Sequence, residues 1–343
     1  MTVSQWGMVH LELTRRCNLR CVYCAVSQPR YAASAMDMSA ELRDRAVAAL
    51  LQLRPRTICL NGHGETTMLP WWPDVARPFL DASIPLTMIT NLSKDYSDAE
   101  IDQLCRFRSL TVSLDTVDED LLRRTRRSVS LERMEETLGR LRSCSRRPEV
   151  EISCVVHDKN VHELELFTTV MTSIWGIRNL TFCSLTKYPD LPDAMNVQSV
   201  AQLPHEERVI LLGQFQRLVA RLQEKGCRVT VQAGIWGEMN TEAAPTPYMP
   251  LQGRTRDCLD PWTFLIIHAN GDVCPCCWQE RIGNLQMQTL PEILEDGRLQ
   301  QLRRQLVTGN LDKVCRQCPA RATIEPRELD RQLQVHGLYP AGR

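Results

Sequence analysis

Short apolar, β-branched runs recur at 8–14, 57–61, 86–91, 110–115, 150–156 and 180–185, and several of the segments between them carry apolar residues at three- and four-residue spacing. The first pattern fits strands and the second amphipathic helices, over 39–53, 98–107, 131–142 and 161–175, with Ser39 and Asp98 placed to cap two of them. Strands alternating with helices predict a parallel sheet. The expected fold class is α/β, a partial (β/α)6 TIM-like barrel whose functional groups gather at the C-terminal ends of its strands. After Tyr188 the alternation stops: Pro189 and Pro192 precede a helix near 206–225, and a loop rich in Pro and Thr covers 243–250. From Cys258 the chain reads as a hairpin, with Asn270-Gly271-Asp272 as a tight turn between 264–268 and 273–274. These changes divide the chain into a barrel at 1–200, a linker helix and loop at 201–250, a small cysteine-rich module at 251–320 and a tail at 321–343.

Composition narrows the partners. Lys plus Arg and Asp plus Glu are equal at 41 each, so no overall charge favours nucleic acid, and the arginine-rich run at 123–127 reads as a solvated helix face. No apolar run is long enough to cross a bilayer, and the N-terminus lacks the parts of a secretion signal, so a cytoplasmic protein without a membrane partner is expected. Fifteen cysteines in a reducing compartment point to metal or redox chemistry rather than to a disulfide framework.

Three of them, Cys17, Cys21 and Cys24, lie within eight residues directly after the first strand. A structural zinc site wants four closed protein ligands, whereas a four-iron cluster held by three thiolates leaves one iron open to an external ligand. The CxxxCxxC spacing, with Tyr23 before the last cysteine, resembles the signature of the radical S-adenosylmethionine (SAM) superfamily. That resemblance implies a [4Fe–4S] cluster whose open iron holds SAM, and cleavage of SAM to a 5′-deoxyadenosyl radical that abstracts a substrate hydrogen. Gly62-His63-Gly64-Glu65 resembles the segment that receives the SAM amino group in that family: glycine permits close approach and a carboxylate suits an ammonium. Thr66 stands where proline is usual. By the same resemblance Thr90, Asn91, Ser113, Asp115 and Asn160 fall at SAM-contacting positions.

The later cysteines, Cys258 before Pro261-Trp262, Cys274, Cys276 and Cys277 before Gly283-Asn284-Leu285, then Cys315 and Cys318, resemble the C-terminal iron–sulfur module of the SPASM and twitch subfamilies. The twitch form, a β-hairpin plus helix around one auxiliary [4Fe–4S] cluster, fits the count, with Cys258, Cys276, Cys315 and Cys318 as ligands and Cys274 or Cys277 as substitutes for Cys276. A zinc ribbon is the competing reading of this half alone.

Eight cysteines remain, and most read as small core residues: Cys59, Cys105, Cys144, Cys154, Cys183, Cys227, Cys274 and Cys277. Cys154 and Cys183 lie near strand ends, and alternation puts Thr181, Cys183 and Leu185 on one face. A thiol there can return a hydrogen atom to a carbon radical from the face opposite abstraction, which inverts the carbon. The expected activity is therefore a radical SAM epimerase, similar to twitch enzymes of the hygromycin B and neomycin type. Its expected partners are a sugar or aminocyclitol substrate and an electron donor such as flavodoxin or ferredoxin. An alcohol dehydrogenase, a peptide-modifying enzyme and a zinc-stapled binding protein are the alternatives. Cys17 lies too early for a leader-peptide-binding domain to precede it, which weighs against peptide modification.

Overall fold

The structure is a computed structural model that describes residues 6–28, 31, 34–185, 197–239, 253–318 and 320–338. The expectations about Tyr188, Pro189, Pro192 and 243–250 lie outside the described residues.

Six parallel strands form the barrel portion: β1 Met8–Leu11, β2 Ile58–Leu60, β3 Leu86–Thr90, β4 Ser109–Ser113, β5 Glu149–Val156 and β6 Asn179–Ser184, hydrogen-bonded in chain order. The helices between them are α1 Ala40–Leu53, α2 Trp72–Asp81, α3 Asp98–Cys105, α4 Glu119–Thr125, α5 Leu131–Ser143 and α6 Leu164–Thr169. Successive side chains on a strand point to opposite faces, and register carries that choice across the sheet. Val112, Ile152 and Leu180 pair in one row and Cys154 and Phe182 in another, all buried in the main hydrophobic core. The intervening rows, Ser113–Ser153–Thr181 and Val155–Cys183, face the other side and are only half-buried. Full burial of each large aliphatic or aromatic side chain in the core contributes roughly 1.5–3 kcal/mol, so a one-residue slip is strongly disfavoured.

Local chemistry starts the helices where the pattern suggests. Ser39 caps α1 by accepting from Leu42 N. The cap of α3 is Ser97 rather than Asp98: Ser97 and Glu100 form a reciprocal capping box, and Asp98 is the first helical residue.

The rest of the chain is more tightly joined to this sheet than its composition suggests. After α7 His205–Glu224, within the stretch read as a linker, β7 Arg228–Val231 pairs in parallel with β6, and α8 Ala233–Met239 follows. The C-terminal module contributes β8 Thr255–Arg256, α9 Asp260–Thr263, β9 Phe264–Ile267, β10 Asp272–Cys274 and β11 Gly283–Asn284. β9 pairs in parallel with β1, with Leu11 opposite Ile267, and the β9–β10 turn seats Gly271 at φ 83°. One ten-stranded sheet thus runs from β11 through β1 to β7. The module closes with α10 Leu290–Glu295, α11 Gly297–Thr308, α12 Lys313–Arg316, β12 Thr323–Ile324 and α13 Pro326–Val335. The segment read as a tail contains α13, whose Leu329 and Leu333 join Leu302, Leu306 and Trp262 in a second small core.

Two cysteines read as core thiols are corrected. Cys105, at the end of α3, and Cys144, the C-cap of α5, are disulfide-bonded across a Cα separation of 6.3 Å. Their 39-residue separation concealed that α3 and α5 lie side by side. Among the described residues no helix is long and apolar enough to cross a membrane.

Candidate active site

The loop after β1 is held at both ends. Thr14 and Arg16 offer their carbonyls to Gly64 N at 3.2 Å and Glu65 N at 2.8 Å, and Val22 N donates to Thr125 O at 2.8 Å. Cys17, Cys21 and Cys24 are free, half-buried thiols on this loop. Cys17 Sγ accepts from Leu19 N at 3.4 Å and lies 3.8 Å from Asn91 Nδ2. Burial pushes the Cys17 thiol up to about 11 and the Cys21 thiol up to about 12, and the mutual repulsion of neighbouring thiolates adds to this. Only a bound cation makes three thiolates stable so close together. A single ion is a poor match, because the one trio of candidate ligands packed within 4.8 Å among the described residues is Glu12, His63 and His268, not a set of cysteines. Three soft thiolates on one loop, more widely spread than an ion requires, fit an iron–sulfur cluster with an open position.

Gly62 and Gly64 are required by the protein itself. A Cβ on Gly62 would lie 2.3 Å from Glu12 Cγ, and one on Gly64 would lie 2.3 Å from the Arg16 carbonyl oxygen. The second segment therefore packs backbone to backbone against the cysteine loop. Glu65 is buried beneath it and accepts from Thr67 N, Thr67 Oγ1 and Thr90 Oγ1 at 3.1, 2.8 and 2.9 Å, and from Asn91 N at 2.7 Å. Burial raises the Glu65 pKa against these bonds. Asn91 extends the link to the cysteine loop by donating to Asn18 Oδ1 at 2.8 Å.

Tyr23, Asp115 and Asn160 come together in a buried polar knot. Burial alone would raise the Asp115 pKa, but Arg126 holds the carboxyl below its usual range through bonds of 2.8 Å from Nε and from Nη2. Asp115 also accepts from the Tyr23 hydroxyl and from Val155 N, while Asn160 Nδ2 donates to Asp115 O and Val155 O, each at 2.9 Å. The Asp115 side chain is 0% exposed. Ser113, by contrast, stays half-buried on the inward row.

Arg126 corrects the reading of the 123–127 run. Arg123, Arg124 and Arg127 are exposed, but Arg126 is buried with Leu121, Leu122 and Thr125. The four-residue spacing from Leu122 carried that signal.

The two candidate thiols separate by strand alternation. Cys154 faces the outer core, 1% exposed, where its thiol donates to Asp115 O at 3.6 Å. Cys183 faces inward beside Ser153, Sγ to Oγ 3.5 Å.

In the C-terminal module a cavity of about 250 Å3 is lined by Cys258, Cys276, Cys277, Cys315 and Cys318. Cys276 accepts from the backbone of Trp278 and Gln279, and Cys315 accepts from Gln279 Nε2 at 3.2 Å. Arg256 secures the last pair of cysteines by donating to the carbonyls of Cys315, Arg316 and Arg321. Cys274 lines a different cavity, of about 520 Å3. A space lined by five thiols is larger than one tetrahedral zinc needs, which favours a cluster.

The larger cavity lies between the cysteine loop and the module, and His63, His268, Arg15 and Tyr31 line it. Behind it Glu12 is fully buried at the end of β1. Sequence reasoning passed over Glu12 and both histidines. The signal was a carboxylate directly after a strand, in a run where Val9, Leu11 and Leu13 alternate as core residues.

Comparison with known proteins finds two family models on this chain. The radical SAM superfamily model matches residues 11–169, and the model of an iron–sulfur cluster-binding domain, SPASM, matches residues 258–319. A GTP 3′,8-cyclase of Rhodopseudomonas palustris is 31% identical over 131 residues, a match that spans 37% of this chain and 38% of that protein. Streptococcus suis SuiB bound to S-adenosylmethionine superposes with a TM-score of 0.63 at 14% identity, over 87% of this chain and 67% of that one. Native anSMEcpe with bound AdoMet and Cp18Cys peptide gives 0.62 at 16%, over 91% and 86%. At such identities the structural likeness shows the fold. The chain thus joins a radical SAM domain to a SPASM iron–sulfur domain, and the two indicate a SAM-binding [4Fe–4S] cluster and auxiliary iron–sulfur clusters as its cofactors.

Proposed function

We propose that the protein inverts a carbinol carbon of an aminocyclitol or aminoglycoside-type sugar, with Cys183 returning the hydrogen atom. The observation that carries the reading is the placement of Cys183 on the inward row beside Ser153, while Cys154 is turned into the outer core. Burial pushes the Cys183 pKa up, which keeps the sulfur in the thiol form that has a hydrogen atom to give.

In this reading Cys17, Cys21 and Cys24 hold the SAM-binding cluster, and Cys258, Cys276, Cys315 and Cys318 hold one auxiliary cluster. When bound, these cofactors supply hydrogen-atom abstraction and one-electron transfer. The chain's own part is to hold the carbinol carbon so that Cys183 meets it from the face opposite abstraction. The S–H bond breaks, a C–H bond forms, and the sulfur radical is then restored to a thiol by one electron, for which a flavodoxin or ferredoxin is the proposed source, and one proton from solvent. The substrate class follows from the resemblance to twitch epimerases.

Incubating the reduced protein anaerobically with SAM and a panel of aminocyclitols tests the proposal. Inversion at one carbon is expected, lost in Cys183→Ala and retained in Cys154→Ala. A ketone product without inversion assigns dehydrogenation instead, and normal inversion by Cys183→Ala refutes the donor.

A further inference from the structure

We infer that His63 is a substrate-touching proton acceptor, oriented by the buried carboxylate of Glu12. The inference rests on the proposed reading of a hydroxylated substrate and assigns a second residue to that reaction. Glu12, His63 and His268 come from the ends of β1, β2 and β9 and bring three ligand atoms within 4.8 Å of one another. Such a trio can hold a metal ion or share protons, and the hydrogen bonds decide between them.

Glu12 Oε1 already accepts from Arg15 Nε at 2.9 Å and Ala269 N at 3.1 Å, with His268 Nδ1 at 3.4 Å. Oε2 accepts from His63 N at 3.0 Å and lies 2.7 Å from His63 Nδ1. Each carboxylate oxygen has two lone pairs, so both are filled without a metal ion. Burial alone would raise the Glu12 pKa, but the bonds from His268 and His63 hold it well below the carboxylate range. An ionised carboxylate accepts only, so the tautomer of the neutral His63 ring that fits this contact has its proton on Nδ1 and its lone pair on Nε2. The His63 side chain is 43% exposed and lines the 520 Å3 cavity, whereas Glu12 is 0% exposed. A buried carboxylate that fixes the tautomer of an exposed imidazole makes that imidazole a base. His268, stacked on His63 at 5.9 Å, closes one side of the ring.

The step is a proton transfer. The O–H bond of the hydroxyl on the reacting carbon breaks, its electron pair stays on oxygen, and an N–H bond forms at His63 Nε2 opposite the Glu12 charge. Removing that proton weakens the adjacent C–H bond. In an inversion the proton returns to oxygen and His63 is regenerated.

Anaerobic treatment of the cluster-loaded protein with diethyl pyrocarbonate, followed by mass spectrometry, should find His63 modified at Nε2. Metal analysis should find iron alone. Turnover of the aminocyclitol panel should fall roughly 10²- to 10⁴-fold in His63→Ala at nearly constant KM, and added imidazole should restore at least about tenfold. For Glu12 as the positioning residue, Glu12→Gln should lose the Nε2 selectivity of modification, and Glu12→Asp should recover it. A non-iron divalent ion lost on His63→Ala, modification at Nδ1, or His63→Ala within about threefold of the unsubstituted protein would overturn the inference. If the unsubstituted protein turns over none of the panel, the substrate reading fails, and the site of modification and the metal content still decide the base.

Discussion

The buried pair of Arg126 and Asp115 ties stability to the cysteine loop, and Arg126→Leu separates the two. The guanidinium is 6% exposed and its partner 0%, joined by two bonds of 2.8 Å. Leucine would leave the carboxylate in a space closed to water, with the Tyr23 hydroxyl and Val155 amide as its remaining donors. Breaking a buried pair from one side costs about 3–5 kcal/mol, because the surviving charge is left uncompensated. Adding Asp115→Asn removes that charge, so the double variant should be more stable than Arg126→Leu alone. The carbonyls of Thr125 and Arg126 also accept from Val22 N and the Cys21 thiol, so a shifted α4 end loosens the cysteine loop. Urea unfolding followed by far-ultraviolet circular dichroism reads the first effect, and iron content after anaerobic reconstitution reads the second. A loss below about 1 kcal/mol for Arg126→Leu, or a double variant as unstable as the single one, would refute the reasoning.

Two further changes probe the clusters. Gly64→Ala places a methyl 2.3 Å from the Arg16 carbonyl, so the cysteine loop must shift; a cost of about 1–3 kcal/mol and a drop in iron at the first cluster are expected by denaturation and iron analysis. Cys276→Ser should lower iron and acid-labile sulfide toward the content of a single cluster, whereas Cys274→Ser, on the neighbouring cavity, should leave both unchanged.

Much of this was legible in the chain because it depends on local pattern. The period-two runs and three- and four-residue spacings fix β1–β6 and most of their helices, and the CxxxCxxC loop falls directly after β1. What escaped depends on distant partners. Cys105 and Cys144 read as isolated core thiols until α3 and α5 were seen side by side. Arg126 sat in a run of five residues with three other arginines, and only the turn of α4 sent it inward. Gly62 and Gly64 read as making room for a ligand, yet each is pressed against β1 or the loop that follows it. Glu12, His63 and His268 are scattered over most of the chain and carry no shared motif, and the pairing of β1 with both β2 and β9 brings them together.

Cys183 as hydrogen donor is the central claim, and the position of solvent deuterium tests it most directly. In deuterated water with SAM and reductant, the Cys183 S–H exchanges before turnover. The account predicts one deuterium per product molecule, on the inverted carbon, as read by proton and deuterium magnetic resonance, and none in the Cys183→Ala reaction. An inverted product carrying protium at that carbon, or deuterium delivered equally well by Cys183→Ala, would contradict it.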